Sequence, residues 1–276
     1  MSLRHLLWRG AAVEDLRASL SLEPGQRVAD LGCGRGELGR LLLPGVVPGV
    51  IEGFDADPDQ IEAARRDAPA GLRFEEGDAR GIDRPDASYD RVVCQALLVH
   101  QSRPAEVVDE MVRLARPGGR VGVIEPNPGP TRLITEGGDP LADDLERRWA
   151  LAARGAASRG LGSWDASARL ADWMRAAGLH DITLTPYARV ETLSPPYSED
   201  AESLRDDLLA WEEGAAAEAD TLTWLAGEEG ADPGWLAELA AAESAARAER
   251  VRALRRARWS GSVAVVVTVA TGTRSL

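Results

Sequence analysis

This chain of 276 residues contains no lysine, and all 32 of its basic residues are arginine. A phosphate-binding lysine of the P-loop type and a Schiff-base lysine are therefore both excluded. Cysteine is nearly absent: Cys33 and Cys94 stand alone, too few for a disulfide framework or a cysteine-based zinc site. The three histidines, His5, His100 and His180, lie far apart without ligand spacing, so no metal site is expected. No apolar run reaches the length of a membrane span. Arg4, His5, Arg9, Glu14 and Asp15 interrupt Met1 to Leu20, where a signal peptide would be continuously apolar. These absences lead us to expect a cytoplasmic protein, long enough to bury a large core as one elaborated domain.

The net charge of −13 is unevenly placed. Between Glu199 and Arg250 stand 15 acidic residues against three arginines (Arg205, Arg247, Arg250), so this segment alone carries −12. Such a segment repels phosphate backbones and makes nucleic acid a poor partner. A solvated helical face explains it more simply than a site for a cationic substrate.

The rest of the chain is organised around Arg27 to Gly39, RVADLGCGRGELG. A short apolar run typical of a strand leads into Gly32, Gly34 and Gly36, after which Leu38, Leu41 and Leu42 resume at helical spacing. Glycines at such a turn permit positive φ and let a ligand approach the backbone, whose N–H groups and helix start are expected to face it. Gly34 to Gly39 also satisfies the dinucleotide pattern G-x-G-x-x-G. The register argues for a different ligand, because Asp30 closes the strand to give D-x-G-x-G. A carboxylate there can accept from the amino group of a cationic amino-acid ligand but repels a pyrophosphate.

The stretch resembles the first motif of class I S-adenosylmethionine-dependent methyltransferases. A second strand, Val50 to Phe54, ends at Asp55, whose carboxylate can accept from both hydroxyls of a ribose. Asp57-Pro58 reads as a helix cap followed by proline at the first helical position. A third strand, Leu72 to Glu75, precedes Glu76-Gly77-Asp78-Ala79, where the resemblance implies that Asp78 and Ala79 hold adenine. A fourth strand, Asp90 to Gln95, a helix from Pro104 to Ala115, an RPGG turn and a fifth strand, Val121 to Ile124, continue the likeness, which runs from Val28 to Pro126. By resemblance the cofactor is S-adenosylmethionine, with S-adenosylhomocysteine as product. The cofactor-binding set is then Asp30, Gly32, Gly34, Asp55, Ala56, Asp78, Ala79, Cys94 and Gln95.

Two nucleic-acid readings fail on position. Cys94 follows Val93, not the proline of cytosine-methylating enzymes, and is read as a small apolar residue beside the cofactor's sulfur. Asn127-Pro128 follows the fifth strand, whereas the corresponding motif of amino-group DNA methylases follows the fourth.

The expected fold is α/β: a doubly wound, seven-stranded, mostly parallel Rossmann-like sheet with a helical insertion before the last strand. Residues 1–26 are read as an N-terminal helix, Leu3 to Leu20, and lid in which Arg4, His5 and Trp8 can serve. Residues 27–190 form the core, including helices starting at Asp139-Pro140 and Asp165 and a sixth strand, Asp181 to Val190. Residues 191–260 are an acidic helical cap, and 261–276 the last strand and tail. Trp211, Trp224 and Trp235 could line a substrate chamber in the cap, with helix packing or a dimer contact as the alternative use.

The expected activity is transfer of a methyl group to oxygen, nitrogen or carbon of a small molecule, by in-line displacement and without metal. His100, after the fourth strand, is the candidate base, with a structural or orienting role as its alternative. Glu125, Asn127 and Trp164 are weaker pocket candidates. A protein or RNA methyltransferase, an NAD-dependent oxidoreductase and a non-catalytic S-adenosylmethionine-binding protein remain open. The expected partner is a small molecule, with no nucleic acid, no membrane and a possible homodimer.

Overall fold

The computed structural model describes residues 11–127, 132–135 and 138–276. The opening helix is described as α1 (Ala11–Ser19); Arg4, His5 and Trp8 lie outside the described residues, as does Pro128. The residues divide into two compact units: a sheet unit of 8–126, 162–187 and 267–276, and a helical unit of 1–7, 127–161 and 188–266.

In the sheet unit, β1 (Arg27–Leu31) is buried over its last four residues, as suits an interior parallel strand covered on both faces. It lies between β2 (Val50–Asp55) and β4 (Tyr89–Gln95), and the sheet continues outward to β3 (Leu72–Glu76) on one side and β5 (Ala115–Pro126) on the other, all in parallel. The last strand, β8 (Gly261–Arg274), runs antiparallel to β5 and also pairs with β7 (Leu179–Leu193). These are the seven expected strands in doubly wound order. A short eighth, β6 (Arg132–Thr135), was not anticipated; it pairs with the start of β8 in the helical unit.

Register places the site. Leu31 is opposite Phe54 and Cys94, Asp55 is opposite Glu76, and Gln95 is opposite Ile124, so the parallel strands finish side by side. The chain winds from β1 out to β3, then returns to β4 on the other side. The crevice of such a sheet opens where that direction reverses, at the carboxyl ends of β1 and β4.

The helices are seated by their apolar faces. In α4 (Pro104–Leu114), Val107, Val108, Met111 and Leu114 are fully buried in a core shared with Leu170 and Met174 of α6 (Ala166–Ala176). Asp57 caps α3 (Pro58–Arg65) by accepting from the Asp59 N–H, as its spacing predicts. The RPGG segment is not a turn ahead of β5 but a bulge within it: Tyr89 pairs with Ala115 and Arg91 with Arg120, so the four residues 116–119 oppose one.

Arginine does much of the fastening. Arg17 donates to the Leu41 carbonyl near the end of α2 (Glu37–Leu42), Arg40 to those of Ala64 and Arg66 at the end of α3, and Arg91 to those of Leu20 and Ser21 after α1. Arg274 reaches the carbonyls of Val112, Arg113 and Ala115 after α4. Each guanidinium meets carbonyls that a helix end leaves without an intrahelical donor.

The helical unit consists of α5 (Ala142–Ser158), α7 (Glu199–Glu228) and α8 (Pro233–Arg255) with the short pairing of β6 and β8. Asp139 caps a turn through the Leu141 N–H and the helix itself begins at Ala142, a few residues later than its cap and proline suggested. Leu204, Leu208, Leu225, Leu236 and Leu239 are buried, whereas Trp224 is 51 % exposed and stacks beneath Arg159. Trp235 donates to Asp144 and lies under Arg147. These two tryptophans are thus held by α5 and its neighbouring arginines.

Apolar periodicity concealed the charges at the heart of this unit. Arg148, 3 % exposed, donates to both carboxylate oxygens of Glu243, and Arg247 bridges Glu243 and Glu212, which Arg250 also grips. Removing one partner of such a pair leaves an uncompensated buried charge. Glu243→Ala is therefore expected to lower stability in urea denaturation by about 3 to 5 kcal/mol. Glu243→Met combined with Arg148→Met should recover most of that loss, and a single variant within about 1 kcal/mol of wild type would show that the pair is not load-carrying.

Candidate functional site

The glycine turn follows from its steric surroundings. Gly32 has φ 65°, and a Cβ there would come within 2.6 Å of the Leu97 side chain. Gly36, with φ 76°, would meet Phe74 at 2.3 Å and the Arg40 guanidinium, which braces the turn by donating to the Arg35 and Gly36 carbonyls. At Gly34, φ 52°, a Cβ would meet no protein atom within 4 Å, so the space above this glycine is open.

The turn's amides are largely committed to the protein, contrary to the expectation that they face a ligand. Cys33 N–H donates to the Phe54 carbonyl, Gly36 N–H to the Cys33 carbonyl, and Gly34 N–H to Asp55 Oδ2 at 2.8 Å. Helix α2 after the turn has only six residues. The bonded amides leave few free N–H donors for a pyrophosphate, and the Arg40 guanidinium is turned to backbone carbonyls.

Asp30 is the unusual member of the site. It is 1 % exposed, and neither carboxylate oxygen has a hydrogen-bond partner. Burial first, and then the nearby Asp55 carboxylate, push its pKa up to about 8, with the Gly39 amide pulling the other way. The Cys33 thiol is pushed up by its burial and then by Asp30 and Asp55. Asp55 is half-buried at the tip of β2, where its oxygens accept from Gly34 N–H and from Asp57 N–H at 3.0 Å. Neither aspartate forms an ion pair among the described residues.

At the tip of β3, Asp78 is exposed and accepts from the Arg80 backbone and guanidinium; those bonds hold its carboxyl at about 2. Ala79 beside it is buried, Ala56 is exposed and Gln95 is half-buried. Cys94 is fully buried in the apolar core with Ala29, Leu31 and Val92, and burial, then the nearby Glu125 and Asp30, raise its thiol well above the usual range. His100 ends a 3-10 turn, Leu98–His100, with its side chain exposed. Trp164 is half-buried, its indole Nε1 3.3 Å from where a Gly162 Cβ would stand.

Glu125 is not a pocket-lining group. It is fully buried, with Oε1 accepting from the N–H of Leu97 and Leu98 and Oε2 lying 3.4 Å from that of Val99. The sequence did carry one signal for this: a carboxylate ending the apolar run Val121 to Ile124 needs donors wherever that run is buried.

The open parallel sheet, its reversal of direction at β1 and β4, and a glycine turn flanked by carboxylates define a Rossmann-like domain of the class I methyltransferase type. Residues 28–119 match the family model described as a methyltransferase domain. A demethylmenaquinone methyltransferase of Deinococcus radiodurans is 35 % identical over 121 residues, 43 % of this chain and 48 % of that protein. A trans-aconitate 2-methyltransferase of Methylobacterium nodulans is 33 % identical over 113 residues, 41 % and 43 % of the two chains. The matched segment spans about half or less of these curated relatives. In solved structures the fold resembles that of a candidate methyltransferase of Bacillus halodurans, with a TM-score of 0.57 at 14 % identity over 97 % of this chain and 100 % of the other.

The state of Asp30 is measurable without any ligand. The unfolded chain releases this proton near pH 4, whereas the folded chain keeps it to about pH 8. Between those values the folded state binds more protons, so stability falls as pH rises, by about 1.4 kcal/mol per unit from this group. Urea denaturation of the ligand-free protein from about pH 5.5 to 7.5 should show this decline, and Asp30→Asn should remove it. Parallel pH profiles for the two proteins would refute a neutral, buried Asp30.

Proposed function

We propose that this protein is an S-adenosylmethionine-dependent methyltransferase acting on a small-molecule acceptor. The observation that carries the reading is Asp30, a buried carboxylate without a partner, beside an open space over Gly34 and a second carboxylate at Asp55. A cationic amino-acid moiety supplies what Asp30 lacks, namely donors and positive charge. Asp55 has lone pairs beyond its two backbone bonds with which to accept from a ribose diol, and Asp78 with the Ala79 backbone is assigned to adenine. Gly32, Gly34, Ala56, Cys94 and Gln95 complete the proposed cofactor set.

When bound, S-adenosylmethionine supplies a methyl group on a sulfonium centre. The chain then has to align the acceptor behind that carbon and exclude water. His100 is assigned to take the acceptor's proton, where it has one to lose, and this role contributes roughly 10² to 10⁴-fold. The matched relatives named for menaquinone and aconitate methylation favour small acceptors, and the acidic segment 199–250 disfavours RNA. The committed amides of the glycine turn and the buried carboxylate of Asp30 beside it speak against NAD.

Calorimetric titration should detect binding of S-adenosylmethionine and S-adenosylhomocysteine but not NAD; NAD binding alone would reverse the assignment. Asp55→Ala should weaken binding by roughly 1 to 3 kcal/mol, and unchanged affinity would remove it from the ribose. Because Asp30 must ionise to pair with the ligand's ammonium, affinity should rise from about pH 6 to 7.5, with proton release on binding, and Asp30→Asn should abolish both effects. Once an acceptor is found, His100→Ala tests the base: a lower rate and a flattened pH profile are expected, and an unaltered profile would leave it a scaffold residue.

A further inference from the structure

We propose that Glu125 is a positioning residue for this site: it holds the segment 97–100 against the glycine turn and thereby sets where Leu97 and His100 stand. The inference rests on the methyltransferase reading for its functional consequence and on the geometry around β5 for its physical basis.

Three successive amides make the anchor. Ala96 has positive φ, 51°, and its N–H donates to the Ile124 carbonyl, which ties the chain to β5 one residue before Glu125. Leu97 then turns into the helical region with φ −100° and ψ −49°, and its own side chain offers no cap to the 3-10 turn that follows. A left-handed residue followed by a helical one aims consecutive N–H groups into a common concavity suited to an anion. The Glu125 carboxylate is that anion, 3.0 Å from Leu97 N, 2.7 Å from Leu98 N and 3.4 Å from Val99 N.

The far side of the segment is fixed by two other parts of the sheet unit. Leu97 lies over Gly32 so closely that a Cβ on that glycine would stand 2.6 Å from its Cδ1. The Val99 carbonyl accepts from Ser163 N–H at 3.1 Å and occupies the position a Gly162 Cβ would need. Glu125 therefore pins a short bridge from β4 to the first glycine of the turn at one end and to His100 at the other. Without the carboxylate, the buried N–H of Leu98 and the part-buried N–H groups of Leu97 and Val99 lose their acceptor, and the turn that follows the strained Ala96 loses its hold. Leu97 would then no longer be held over the glycine turn.

The test uses S-adenosylhomocysteine affinity together with amide hydrogen exchange. In the wild type the amides of 97–99 should exchange slowly. In Glu125→Ala they should exchange at least about a hundredfold faster while Val92 and Val123 in the flanking strands stay protected, and affinity should fall roughly tenfold to a hundredfold. Glu125→Gln keeps the shape and one acceptor oxygen, so an intermediate result is expected in both readouts. Leu97→Ala keeps the amide anchor and its protection but removes the contact to Gly32. In that background Glu125→Gln should cost little further affinity, because the two act in series. Unchanged affinity in both Glu125 variants, or additive losses in the double variant, would overturn the proposal. If the wild-type protein binds no S-adenosylhomocysteine while Glu125→Ala still frees amides 97–99, the anchor stands and the methyltransferase reading fails instead.

Discussion

The arrangement at the site depends on one electrostatic constraint: two carboxylates, Asp30 and Asp55, lie close together at the carboxyl ends of adjacent parallel strands, with no cation paired to either among the described residues. Arginine is abundant in this chain, yet the Arg40 guanidinium beside the turn is spent on carbonyls. Asp55 relieves part of its charge through two backbone N–H groups, whereas Asp30 has no such relief and keeps its proton. The fold thus holds a site that is incomplete in its own polar groups. Stability is given up at Asp30, and a cation with several donors is the species that restores it.

The absence of lysine gives the rest of the molecule its character. A guanidinium can donate to several carbonyls at once from a fixed plane, which an ammonium cannot match. Four helix ends in the sheet unit are closed this way, by Arg17, Arg40, Arg91 and Arg274. In the helical unit the same side chain is buried with Glu243 and Glu212 instead. One residue type closes helix ends in one unit, reaching them from a neighbouring helix or strand, and ties helices to each other in the other.

Much of the sheet could be read from residues. Strands β1 to β4 and the helix caps follow from apolar runs, glycine and proline, because those signals are local. Three features needed the third dimension. The RPGG segment reads as a turn, yet its neighbours on both sides pair with β4, so the turn is absorbed as a bulge. The pairing of β6 with β8 joins residues more than a hundred positions apart. Arg148 sits on a helix face that polarity alone assigns to solvent, and only Glu243 from α8 makes its burial possible.

For the site, residue types pointed to strand ends but not to the state of each group. Asp30, Asp55 and Glu125 are all carboxylates at or near strand ends in similar apolar contexts. Their differences arise from which backbone amides face them: none in hydrogen-bonding geometry for Asp30, one from the glycine turn and one from its own following loop for Asp55, and those of a neighbouring loop for Glu125. Amide direction is set by φ and ψ at Gly34 and Ala96, both left-handed. Glycine at position 34 announces that conformation in the sequence, while alanine at position 96 gives no such notice. The conformation of the glycine turn could therefore be read beforehand, and that of the loop around Glu125 could not.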